Sequence, residues 1–216
     1  MTKNGFGQRS PVISNTYYKV HAVHENSEPN PCLIASPDNE QLEIDVFYVR
    51  DFSFCSNIEA RDAKGCTPLH LCVVFDQIST ACLLLGRGAN VDAKDNEGST
   101  PLHLASAFSD ADTVHLLITY GGNVKAKDSE GSIALHIAAA LGKTNTVHVL
   151  IDAGSDVNAP DVNEDTPLQV SAGSGHLEVV CLLLDNGADL SAVDKEGRKL
   201  AVCAKLYGHN KVEQCL

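Results

Sequence analysis

His70, His103 and His136 stand 33 residues apart, each three positions after Thr67, Thr100 or Ile133 and inside an apolar run. Imidazole is the usual choice for proton transfer or metal binding near neutral pH. Here the position argues for a different task. The first turn of a helix leaves backbone N–H groups without partners, and a ring there serves them as a hydrogen-bonding group. Cys82, His115, His148 and Cys181 share the same spacing and read on paper as a zinc set of two thiolates and two imidazoles. If each 33-residue step is one helix-packing distance of ~8–10 Å, the ends of that row lie roughly 30 Å apart. Zinc ligands must all sit within ~2.3 Å of one ion. The row therefore predicts no metal site. His21 and His24 offer only two ligands. Asp62, Asp95, Asp128, Asp161 and Asp194 repeat without a miss, but their spacing puts one on each successive turn, where a carboxylate caps backbone N–H groups rather than pairing for acid–base work. No nucleophile elbow, phosphate-binding glycine loop or His-Glu-x-x-His motif is present, so the reading assigns no catalytic residue and no cofactor.

The spacing itself organises the chain. Thr-Pro-Leu-His at 67–70 returns at 100–103, as Ile-Ala-Leu-His at 133–136, as Thr-Pro-Leu-Gln at 166–169 and, degraded, as Lys-Leu-Ala-Val at 199–202. One glycine series runs 65, 98, 131 and 197 with Glu164 as its exception, and a second runs 88, 121, 154 and 187. Three series in one register define a repeat. Within each unit the Thr hydroxyl is expected to cap a short helix, with Pro at its first position where no N–H is needed. A second helix carries a leucine stripe such as TACLLLGR or TVHLLITY, and a left-handed glycine ends it. The stretch ANVDAKDNEG and its copies read as an extended segment with a tight turn, here called a finger. Two departures stand out. Asp76 and Ser109 occupy the helix-ending position held by Gly142, Gly175 and Gly208, where a left-handed non-glycine residue costs roughly 1 kcal/mol. Glu164 replaces a turn glycine, so the fourth finger is expected to differ in shape.

Composition supports a helical solenoid. Of 216 residues 44% are apolar but only 5% aromatic, with no Trp, so the core must come from Leu, Val, Ile and Ala. The formal charge of −12 argues against wrapping nucleic acid or lying on an anionic membrane. No window approaches the ~18–20 apolar residues of a membrane span, and no apolar run follows Lys3. Eight cysteines at 32, 55, 66, 72, 82, 181, 203 and 215 form no Cys-x-x-Cys pair and read as reduced, buried small hydrophobes. A cytoplasmic or nuclear monomer is expected. Residues 1–40, rich in Asn, Ser, Pro and His, read as a disordered segment. Residues 41–60 read as a capping half-repeat, with Leu42, Val46, Val49 and Phe52 at helical spacing.

These motifs, Asp-x-x-Gly-x-Thr-Pro-Leu-His-x-Ala and Leu-Leu-x-x-Gly-Ala, resemble the ankyrin repeat family across residues 62–216. The resemblance implies an all-α solenoid of helix pairs with β-turn fingers, in repeats 62–94, 95–127, 128–160, 161–193 and a degenerate 194–216. It also implies a non-enzymatic module that binds a protein partner: an adaptor, a scaffold or a stoichiometric inhibitor. The alternative is the targeting portion or a subunit of a larger enzyme or ubiquitin-ligase-type complex. Phe75, Phe108, Leu141 and Tyr207 fall on one row, broken at Ser174, that is expected to line the concave groove. Lys94, Glu97, Lys127, Glu130, Asp161 and Glu164 are expected to form its fingertip rim. The partner expected there is a helical or extended segment with apolar anchors and some basic residues. Leu150 followed by Asp156-Val157-Asn158 resembles the motif of an oxygen-dependent asparaginyl hydroxylase, which makes Asn158 a modification candidate; a turn cap is the competing role.

Overall fold

The computed structural model describes residues 57–195 and Gly197, which belong to a compact unit beginning at Asn57. The expected tail at 1–40, the half-repeat before Asn57, Tyr207 and nearly all of the fifth repeat lie outside the described residues. Within them are eight helices: α1 Pro68–Val74, α2 Ile78–Gly86, α3 Pro101–Phe108, α4 Ala111–Thr119, α5 Ala134–Ala140, α6 Thr144–Asp152, α7 Pro167–Ser174 and α8 Leu177–Asp185. None is long and apolar enough to cross a membrane. Odd-numbered helices pack in one row, α1 on α3 on α5 on α7, and α4, α6 and α8 pack in a second. Each odd helix also packs on the even helix that follows it. The first row is called inner and the second outer.

The core lies between the rows. Leu69, Leu102, Leu135 and Leu168 line it from the inner helices, and Leu84, Leu117, Leu150 and Leu183 from the outer ones, all fully buried. A large apolar side chain removed from water in this way contributes about 1.5–3 kcal/mol. Ala105, Ala138, Ala139 and Ala172 are also fully buried and let neighbouring helices approach closely.

Helix starts differ from expectation in one detail. The Thr67 and Thr100 hydroxyls do not cap their helices by accepting backbone N–H groups. The ring three residues on reaches back instead: His70 Nδ1 accepts the Thr67 backbone N–H at 3.0 Å, and His103 Nδ1 accepts that of Thr100 at 3.1 Å. Ile133, which has no hydroxyl, is served in the same way by His136 at 3.2 Å. Thr166 alone accepts with its hydroxyl, from Gln169 N, while Gln169 Oε1 takes the histidine's role towards Thr166 N.

The fingers are built on the repeated aspartates. Asp62 Oδ1 accepts from Lys64 N and Cys66 N, and Asp95, Asp128 and Asp161 each accept the equivalent pair, all at 2.7–3.0 Å. Neighbouring fingers are stitched by one backbone bond each: Asn96 N to Lys64 O, Ser129 N to Glu97 O, Val162 N to Glu130 O and Lys195 N to Asn163 O.

Of these departures Asp76 resolves as expected, and Ser109 and Glu164 do not. Asp76 does adopt the left-handed conformation (φ 55), and so accepts its cost. Ser109 does not: it is extended (φ −98, ψ −177), its hydroxyl donates to Val73 O at 2.7 Å, and Asp110 then caps α4 by accepting Thr113 N. The fourth finger keeps its shape. Glu164 takes φ 64, close to the 75 and 72 of Gly98 and Gly131, and donates its N–H to Asp161 O as they do to Asp95 and Asp128. Pairing with the fingers on either side holds Glu164 in a conformation its side chain disfavours.

Candidate functional site

Each inner helix buries the side that faces the outer row and leaves a stripe of positions i, i+3 and i+4 at least partly open, except that Ala140 of α5 is buried. In α3 that stripe is Leu104, Ala107 and Phe108; in α1 and its cap it is Leu71, Val74 and Phe75. Phe108 is 48% exposed and Leu141 36%, large values for apolar side chains on a packed helix pair. Phe75 is half-buried, and Ser174 continues the row without an apolar group. Leu71, Leu104, Ile137 and Val170 form a second, half-buried apolar row beside the first. Sequence reasoning missed this second row, although its period of 33 and its offset of four from Phe75 were both present as a signal.

Imidazole bridges hold the inner helices at this spacing. Because each Nδ1 accepts a backbone N–H, the proton must sit on Nε2. That N–H donates to the next finger: His70 to Ser99 O at 3.2 Å, His103 to Ser132 O at 3.0 Å and His136 to Asp165 O at 3.1 Å. Burial is the largest influence on all three rings and lowers their pKa, because it disfavours the charged form; the carbonyl bonds and the nearby Asp95, Asp128 and Asp161 oppose it only in part. The rings are neutral structural bridges between repeats.

The fingertip residues are placed as follows. Arg61 Nη1 donates to Lys94 O, Lys94 Nζ to Lys127 O at 2.7 Å, and Lys127 Nζ to Pro160 O at 2.8 Å. These three cations form a ladder that ties each finger to the next. Asp161 spends Oδ1 on its own turn. Glu97, Glu130 and Glu164 are exposed at the tips. Asn158 is exposed, and both ends of its amide reach the next repeat: Oδ1 accepts from Asp189 N at 2.8 Å and Nδ2 donates to Gly187 O at 3.2 Å. Glu59 and Asp92 make the equivalent bridge to Asn90 N and Asn123 N. Lys125, in the third such position, has no acceptor to offer.

Among the described residues no three His, Cys, Asp or Glu side chains gather as metal ligands. Cys82 is half-buried on the outer row, where His115, His148 and Cys181 are exposed; the expectation of buried cysteines thus fails at Cys181. Burial pushes the Cys72 thiol up to about 12, which keeps it protonated and unreactive.

Paired helix rows, stitched fingers and a 33-residue period agree with the family models that match. A model of three ankyrin repeats matches at residues 81–161, 102–194 and 135–214, and a single-repeat model matches at 64–96. The chain belongs to the ankyrin repeat family. Ankyrin repeats are in general protein–protein interaction modules, typically without catalysis of their own. No curated protein matches the chain. In ankyrin terms the open stripe is the groove face of the inner helices, and the degenerate fifth unit is still recognised as far as residue 214.

Proposed function

We propose that the chain is a non-enzymatic adaptor, scaffold or stoichiometric inhibitor whose partner lies along the open face of the inner row. Exposure of Phe108 and Leu141 in register, on a stripe that α3 and α5 turn away from the core, is the observation that carries this reading. Contiguous exposed apolar surface marks interaction sites, and aromatic anchors dominate their energy. The partner supplies apolar anchors to Phe75, Phe108 and Leu141 and basic residues to the carboxylates that border this face. Eight cysteines without disulfide or metal spacing favour the cytoplasm or nucleus as its setting.

Crosslinked pull-down with the wild type and Phe108→Ala tests the assignment. Loss of an anchor at a hot spot costs at least ~2 kcal/mol of binding, while an exposed side chain contributes little to folding. Unfolding of Phe108→Ala, or a crosslink map centred on His115 and His148, overturns it.

A second reading concerns Asn158, whose motif and exposure fit the hydroxylase resemblance. Both amide ends are engaged with the next repeat, so the enzyme must meet the finger locally opened. Treatment with the hydroxylase followed by peptide mass spectrometry, with no gain of one oxygen at Asn158, removes this reading.

A further inference from the structure

The open apolar face has two edges, and their charged groups are engaged differently. On the finger edge Arg61, Lys94 and Lys127 donate to carbonyls of neighbouring fingers, and Asp62, Asp95, Asp128 and Asp161 accept from their own turns. The other edge is where inner helices end and outer helices begin. There Asp76 follows Phe75 directly, Asp110 lies two residues after Phe108, and Asp112 and Glu178 stand in the first turns of α4 and α8. All four carboxylates are exposed. Among the described residues the only lysine at this edge, Lys143, is half-buried and donates to Ser109 O at 2.6 Å. The end charges of about −0.5 on the inner helices and +0.5 on the outer ones meet here and cancel in pairs. Side chains therefore set the sign, and it is negative.

A cleft of about 540 Å³ opens at this edge, with Asp110, Lys143 and Glu178 among its walls. It starts one residue beyond Phe108 and two beyond Leu141, so a side chain branching from a segment on the apolar face can enter it. Glu178 has no hydrogen bond or ion pair among the described residues. Asp110 commits Oδ1 to capping α4.

We propose that this helix-loop edge reads the partner's charge: the partner is a protein segment with an apolar stripe flanked on one side by Arg or Lys, one of which enters the cleft between Asp110 and Glu178. The inference rests on the open face as the binding surface and adds which edge selects the partner and by what chemistry. The finger edge, whose cations and aspartates are spent on bonds within and between fingers, contributes little to selection.

The test pans a phage-displayed library of random 16-residue peptides on the full chain and titrates the enriched peptides against variants. One variant neutralises the loop edge (Asp76→Asn, Asp110→Asn, Asp112→Asn, Glu178→Gln), and another the finger edge (Glu97→Gln, Glu130→Gln, Glu164→Gln). Asn is as good an N-cap as Asp, so α4 keeps its start, and circular dichroism checks each fold. Expected are peptides pairing apolar with Arg or Lys residues, at least tenfold weaker binding to the loop-edge variant, less than threefold change for the finger-edge variant, and weakening by salt. Neutral or acidic peptides that still depend on Phe108, or a larger loss at the finger edge, overturn this inference and leave the open face standing. Peptides indifferent to Phe108→Ala, or no enrichment over an uncoated surface, overturn both.

Discussion

Acid should loosen the solenoid through its histidine bridges. His70, His103 and His136 each use Nδ1 as an acceptor for a backbone N–H, so a second ring proton would set two donors against each other inside the core. Burial lowers the pKa of all three below the ordinary 6.5. A lowered native pKa means that folding favours the neutral ring. Its stabilisation is therefore complete above pH 6.5 and is lost as pH falls from there towards the native value, because the unfolded chain takes up protons that the folded one refuses. Each ring contributes a slope of about 1.4 kcal/mol per pH unit in that window, so three rings remove up to about 4 kcal/mol between pH 7.5 and 5.5. With a urea slope of roughly 2 kcal/mol per M, the unfolding midpoint drops by up to ~2 M. The fourth repeat supplies the control. Gln169 accepts Thr166 N at 2.9 Å with an oxygen that does not titrate, so a His70→Gln, His103→Gln, His136→Gln variant should hold its midpoint across the same range. Equal midpoints at pH 7.5 and 5.5 for the wild type, or an equal drop in the glutamine variant, would refute the tautomer and the reasoning built on it.

Three further outcomes are expected. Glu164→Gly relieves a left-handed non-glycine residue (φ 64) in an exposed finger and should raise stability by up to about 1 kcal/mol in urea unfolding. Lys125→Asp supplies the missing acceptor for Asp156 N in the series of Glu59, Asp92 and Asn158, and should add about 0.5–1 kcal/mol, read from the thermal midpoint. Gly142→Ala should destabilise by more than the ~1 kcal/mol of a left-handed alanine alone, because the new Cβ would lie 2.4 Å from His176 Nδ1, whose ring is anchored through Nε2 to Ala140 O; additional truncation of His176 should recover part of the loss.

The repeat made most of this fold legible, because each unit carries its own start and stop chemistry. Pro68, Pro101 and Pro167 begin inner helices where the sequence places them, and the aspartates cap the turns assigned to them. Legibility failed where two neighbouring units decide together. Glu164 looked like a reason for a different finger, but pairing with the fingers on both sides outweighs the preference of one residue. Ser109 looked like a strained helix end until Val73 O, one repeat back, gave its hydroxyl a partner in an extended conformation. The fingertip lysines read as a free rim from their charge alone; their bonds to Lys127 O and Pro160 O depend on the pitch between units, which no single unit encodes. Of the candidate surface, Phe108 and Leu141 were legible as a row. The acidic loop edge was not, since it gathers Asp76, Asp110, Asp112 and Glu178 from three different units, and only Asp112 and Glu178 share a position in the repeat.

The side-chain bridges between repeats described above span 29–36 residues, one unit and no more. An interface joined only between neighbours stores deformation as a stack of springs in series does: a small change of angle at each joint adds along the stack, while no joint is far from its own minimum. The distance from Phe75 to Leu141 is thus set by two joints that yield separately. A partner whose anchors are spaced slightly too widely or too closely can be met by sharing the misfit between those joints, so that tolerance for imperfect ligands grows with the number of repeats they touch.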